Sequence, residues 1–172
     1  MIHQDPPEDR GAHQDEPRWK NDGVRVIKGD QLDPNTAQTP GMFRQAAINH
    51  ARVGAQKIWA GTVAIQPNAK TGVHHHGELE SVIYVVRGRA RMRWGERLEY
   101  VAEAGPGDFI YVPPFVPHQE INASPHEPLE CVLVRSDNEG HCHVRAGLPA
   151  SGDQQVKLAR HGPLNQRMPR RA

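Results

Sequence analysis

Long apolar runs are missing from this chain, whose mean hydropathy is −0.71. Nothing in it approaches the roughly 20 apolar residues that cross a bilayer, and no apolar core follows a basic start as in a signal peptide. The reading therefore excludes a membrane protein and expects a cytoplasmic chain. Cysteine is scarce: Cys131 and Cys142 form neither a disulfide framework nor an iron–sulfur or haem set. Charge of one sign is missing too. A formal net charge of +1 argues against a general nucleic-acid or membrane-surface binder. There is no glycine-rich nucleotide loop, no Ser-His-Asp pattern, and almost no helical periodicity.

What remains is rich in turn formers, with 16 glycines and 15 prolines among 172 residues. That length suits one domain. Residues 1–22 are polar and proline-bearing, with Asp5, Glu8, Asp9, Asp15 and Glu16 outnumbering Arg10, Arg18 and Lys20. They read as a disordered or swapped N-terminal arm. Residues 139–172 read as a basic, flexible tail: from residue 141 on, Arg145, Lys157, Arg160, Arg167, Arg170 and Arg171 outweigh Asp153. His141-Cys142-His143 within it is a weak candidate for a soft metal. Residues 23–138 form the folded domain.

Within that domain β-branched and aromatic runs recur at hairpin spacing. Val24–Ile27, Met42–Ile48, Lys57–Ile65, Ser81–Val86, Arg89–Trp94 and Leu129–Val134 all read as strands. In Arg89–Trp94 the alternation puts Ala90, Met92 and Trp94 on one face and Arg89, Arg91 and Arg93 on the other. The arginines are expected outside, as a solvated face or a row for a partner subunit. Cys131 is either a small core hydrophobe or a thiol at a pocket. Short antiparallel strands without helices indicate an all-β barrel or jelly roll.

Two stretches carry chemistry. The first, Gly72 to Gly88, contains His74-His75-His76 and then Glu78 and Glu80. On an extended segment His74 and His76 point one way and His75 the other. Two imidazoles on one face with a carboxylate nearby make half of a metal site. The second, Gly107 to Asn122, contains Pro113, Phe115, His118 and Glu120. If His118 faces inward, Glu120 shares its face, and a retained buried carboxylate suggests a general acid or base, or a fourth ligand.

Together these stretches resemble the paired motifs of the cupin superfamily. His74, His76 and Glu80 fit the histidine side of the first motif. Gly107, Pro113, His118 and Asn122 fit the second. The departures are Asn68 for the leading glycine, Phe115 for the inner glycine of the second motif, and one extra residue between Glu80 and Gly88. Counting forward from His76 selects Glu80 as a ligand, whereas counting back from Gly88 selects Ser81. Adjacent strand residues cannot both face inward, and Glu80 is preferred as the better donor. Glu78 is a poorer substitute.

The resemblance implies a double-stranded β-helix (jelly-roll) barrel with a mononuclear divalent transition metal (Fe, Mn, Ni, Cu or Zn) held by His74, His76, Glu80 and His118. It also implies a small-molecule substrate and a homodimer. The leading expectation is a dioxygenase-like oxidoreductase, with Met92, Trp94 and Phe115 lining an apolar pocket and Glu120 or Tyr84 as a catalytic group. The alternatives are an isomerase, epimerase or lyase on a sugar or sugar phosphate, and a non-catalytic ligand-binding barrel. A metal-free isomerase would use His118 with Tyr84 or Tyr111. No separate organic cofactor is expected.

Overall fold

Alternation along the chain becomes two facing sheets. The computed structural model describes residues 23–136, with the backbone of His143–Val144 and Lys157–Leu158. The strands are β1 (Met42–Ile48), β2 (Trp59–Ile65), β3 (His74–His75), β4 (Ser81–Arg87), β5 (Ala90–Trp94), β6 (Tyr100–Ala104), β7 (Phe109–Val112), β8 (His118–Asn122) and β9 (Leu129–Arg135), then β10 (His143–Val144) and β11 (Lys157–Leu158). One sheet runs β1-β2-β9-β4-β7 and the other β10-β3-β8-β5-β6-β11. This is the double-stranded β-helix that the sequence implies. Among the described residues one short α-helix, α1 (His50–Val53), is capped by the Asn49 side chain.

The expected strand at Val24–Ile27 does not form. Val24 is 99% exposed, so its β-branched residues have no sheet to pack on, and propensity alone does not hold a strand. The N-terminal arm and most of the basic tail, His141 and Cys142 included, lie outside the described residues. Two dipeptides of the segment expected as tail do pair with the barrel: β10 against β3, and β11 parallel to β6.

Side chains from alternate positions fill the space between the sheets. Val63 and Ile65 of β2, Ile83 and Val85 of β4, and Leu129, Cys131 and Leu133 of β9 form one wall. Ala90 and Met92 of β5 face them. Arg89 and Arg91 stand outside as the alternation predicts, salt-bridged to Glu103. Arg93 donates to the Leu98 carbonyl at 2.9 Å.

Both departures from the motif glycines fall where glycine is wanted for its backbone. Asn68 and Phe115 each have φ of 59°, and Gly88 and Gly107 are left-handed as well, at 88° and 94°. Asparagine enters that region readily, phenylalanine does not. The side chain of Phe115 is 60% exposed, so it is not one of the pocket walls that the sequence suggested.

Candidate metal centre

Cross-strand register assembles the site at one end of the barrel. In one sheet His74 pairs directly with His118, and His118 with Trp94. In the other, Arg135 lies between Trp59 and Ser81, and Ser81 pairs onward with Val112. The two rows face each other through the interior. The segment before β3 is tied to β8 by Thr71, whose Oγ1 accepts from the Glu120 amide at 3.0 Å and whose carbonyl accepts from Gln119 Nε2 at 2.7 Å. That tie sets the histidines against His118.

His74, His76 and His118 are 4%, 3% and 1% exposed, and their ligand atoms all lie within 4.8 Å of one another. Each ring is oriented by its other nitrogen. His74 Nδ1 donates to the Gly72 carbonyl at 3.0 Å and His118 Nδ1 to that of Val116 at 2.8 Å. For His76 the roles follow from its neighbour: Arg135 Nη2 can only donate, and it stands 2.9 Å from His76 Nε2. The His76 proton therefore sits on Nδ1, facing Ser81 Oγ at 3.2 Å. The three imidazoles thus turn their Nε2 atoms inward with Nδ1–H fixed behind, the arrangement that metal-ligating histidines use. The buried Nε2 of His118 has no hydrogen-bond partner among the described residues. Three such donors fit a divalent transition metal, so the trio could hold one.

Glu80 is a correction. Its side chain is exposed on the outer face and accepts from Tyr111 Oη at 2.6 Å. Ser81 points inward instead, as the spacing from Gly88 indicates, because Gly77 turns the chain at φ 61° and β4 starts at Ser81. Glu78 is exposed as well. Tyr84 is a second correction: it lies on the outer face of β4, its ring 4.8 Å from that of Phe109, away from the histidines. Tyr111 is 57% exposed, and its bond to Glu80 raises its pKa. Glu120 is buried on the face of His118, one row deeper opposite Met92. It borders a narrow void shared with Arg44 and Cys131. Burial pushes the Cys131 thiol up to about 12, with Glu120 adding to the shift, so Cys131 is a protonated core group.

Arg135 is the residue that sequence reasoning missed. It is 4% exposed and completes the inward row Leu129, Cys131, Leu133, Arg135. The same alternation from Met42 and Ala46 turns Arg44 inward. Beside His118, which stands in its wall, a cavity of about 550 Å³ opens; Met92, Trp94, Ile110, Val112 and Val116 give it an apolar lining, to which Glu103 and Asp108 add acidic groups.

Burial pushes His76 down to about 2, with the charge of Arg135 next in importance. Burial lowers His118 too, followed by the charge of His74. Both rings stay neutral in the fold, whereas in the unfolded chain they protonate near 6.5. The unfolded state then binds more protons below that pH, so stability is complete above about 6.5 and declines as pH falls from there toward the folded values. Each ring removes up to about 1.4 kcal/mol per pH unit. Melts of chelator-treated protein should show Tm falling between about pH 7 and 5, less steeply for His76→Gln. A Tm independent of pH across that interval contradicts the assignment.

Residues 61–135 match a family model described as a cupin domain. No curated protein matches the chain. Among solved structures it is similar to an uncharacterized protein with a double-stranded β-helix domain from Klebsiella pneumoniae, at 17% identity and TM-score 0.56, over 72% of this chain and 99% of that one. It is also similar to the polyketide cyclase RemF from Streptomyces resistomycificus, at 22% identity and TM-score 0.59, over 74% and 87%. A third is the oxalate decarboxylase of Bacillus subtilis, a protein with Mn(II) centres, at 21% identity and TM-score 0.55, over 73% of this chain but 36% of that one. These likenesses establish the fold.

Proposed function

We propose, on the premise that this chain is a single-domain cupin protein, that it is a metal-dependent enzyme acting on a small, largely apolar molecule. The chemistry of this reading is that of an oxidoreductase of the dioxygenase kind, with one divalent ion held by His74, His76 and His118. The observation that carries it is the buried, inward-facing Nε2 of His118 in the wall of the apolar cavity. Bound there, a redox-active ion supplies Lewis acidity and electron transfer. The chain's own residues do the rest. Met92, Trp94 and Val112 take up an apolar body and exclude water. The Gly72 and Val116 carbonyls and Ser81 Oγ hold the rings in register. Burial, with the charge of Arg135 next, keeps His76 neutral.

Oxygen uptake by metal-loaded protein against catechols, thiols and keto acids tests this reading. Uptake with at least one class, abolished by chelator, is expected; none with any of them removes the dioxygenase assignment. A second reading, an isomerase or lyase of a sugar phosphate, gains from Arg135 and Arg44, because it needs cations that face inward. Product formed without oxygen uptake would favour it.

Glu120 is proposed as a proton-handling group acting from behind Met92, where its carboxylate opposes the fall in the His118 pKa. Glu120→Gln should cut turnover about tenfold or more and leave Tm unchanged. Unaltered turnover would remove Glu120 from the chemistry. We also propose that two copies pair through the outer face of the five-stranded sheet. Val82, Val86, Phe109 and Tyr111 are exposed there, a patch that association would cover. Light scattering should give a dimer mass, and a monomer would refute the pairing.

A further inference from the structure

The cavity beside His118 has two chemically different ends. Alternation turns Asp108, Ile110 and Val112 to one side of the extended chain that forms β7. Val112 is in register with Ser81, in the row that faces the histidines. Asp108 comes four residues earlier, roughly 13 Å away along a strand. Both residues line the cavity, so it runs from an imidazole to a carboxylate at its mouth.

At the inner end, His118 is 1% exposed and its Nε2 has no hydrogen-bond partner among the described residues. A buried polar atom left without a partner is costly, and this one marks where an ion or a ligand belongs. At the mouth the two carboxylates differ. Glu103 is already neutralised: Arg91 Nε donates to its Oε1 at 2.8 Å, and Arg89 adds a second ion pair. Asp108 accepts from the Gly105 amide through Oδ2 at 2.8 Å, and no described residue donates to its other oxygen. None of the lining residues is a lysine or an arginine. Between the two ends the walls are apolar, with Met92, Trp94 and Ile110 among them.

Such a mouth repels an anion. A neutral hydroxyl can donate one ordinary hydrogen bond to Asp108, whereas an ammonium donates a charge-assisted one and still leaves its apolar body inside. We infer that the molecule this cavity takes is an apolar amine, its cationic nitrogen at Asp108 and its body between the sheets, directed toward His118. The inference rests on reading the cavity as the place where the proposed enzyme holds its substrate, and it names the class of that substrate.

The test is calorimetry on the full chain near neutral pH, treated with chelator so that no ion competes for the nitrogen. The probes are phenylbutylamine, phenylbutanol and phenylbutyrate, which share a body and differ in the end group. The amine should bind at least about threefold tighter than the alcohol, the range of a partly exposed ion pair. It should bind about tenfold or more tighter than the acid, which the mouth repels. Asp108→Asn keeps the acceptor for the Gly105 amide and removes only the charge. It should bring the amine within about twofold of the alcohol and leave the alcohol's own affinity unchanged. On the unaltered chain, added salt should shrink the amine's advantage over the alcohol, a measurement that serves even if the variant does not fold. If the alcohol or the acid binds as tightly as the amine, or if the asparagine variant keeps the full preference, the amine assignment is wrong while the pocket stands. If none of the three binds, the cavity is no substrate pocket, and the proposed function loses its binding site together with this inference.

Discussion

His118→Ala should leave a folded barrel that no longer holds a metal. The imidazole is 1% exposed and its Nε2 has no hydrogen-bond partner among the described residues, so what the apo barrel loses is the packing of the ring and the Nδ1 bond to the Val116 carbonyl at 2.8 Å. Its loss removes one of three donors, and the remaining pair cannot close a site of the usual four-coordinate type. Metal affinity should fall at least about 100-fold, beyond what removing an outer-shell partner costs. Turnover should drop to background. His74→Ala should behave alike, since the two rings are cross-strand partners. Metal content after gel filtration and urea melts of the apo form together check the prediction. Retained metal in either variant would mean that the ion is held elsewhere.

Asn122→Ala should produce the largest loss of stability outside the apolar core. Asn122 is 2% exposed, and its Nδ2 reaches the carbonyls of Ile65, Gln66 and Glu127 at 3.0, 3.2 and 2.7 Å. Its Oδ1 accepts from the Ser124 amide at 2.9 Å. One side chain thus ties the end of β8 to the end of β2 and to the loop that leads into β9. Alanine leaves these buried carbonyls unsatisfied, at about 1–3 kcal/mol for each group that water cannot reach. A total near 3 kcal/mol corresponds to a fall in Tm of roughly 6–12 °C for a chain of this size. Asn122→Asp should be at least as severe, because a carboxylate would face the same three oxygens. A shift below about 2 °C in either variant would show that the network is not holding the two sheets.

Much of the site was legible because strands alternate. The spacing of His74 and His76 places them on one face, and the second motif supplies His118 from a strand that pairs directly with β3. What failed was the residue between the histidines and β4. Glu80 is the better donor chemically, but the turn at Gly77 delivers Ser81 to the interior and leaves Glu80 to Tyr111. Register, not donor quality, decides which of the two faces the interior. Arg135 was open to the same logic, since Leu129, Cys131 and Leu133 already define the inward face of β9. A cation at the end of an apolar row reads as the place where a strand leaves the core, and no local signal marks it as buried. Tyr84 was lost in the same way, on the outward side of β4. The Asn68 and Phe115 departures left the fold intact because both residues adopt the left-handed backbone that glycine would have taken.

Elemental analysis of the 172-residue chain, loaded with a divalent transition metal and passed through gel filtration, tests the account most directly. About one ion per chain is expected, with ligand distances of roughly 2.0–2.1 Å to imidazole nitrogen by X-ray absorption. A chain that emerges without metal, or with metal bound through oxygen alone, would contradict it.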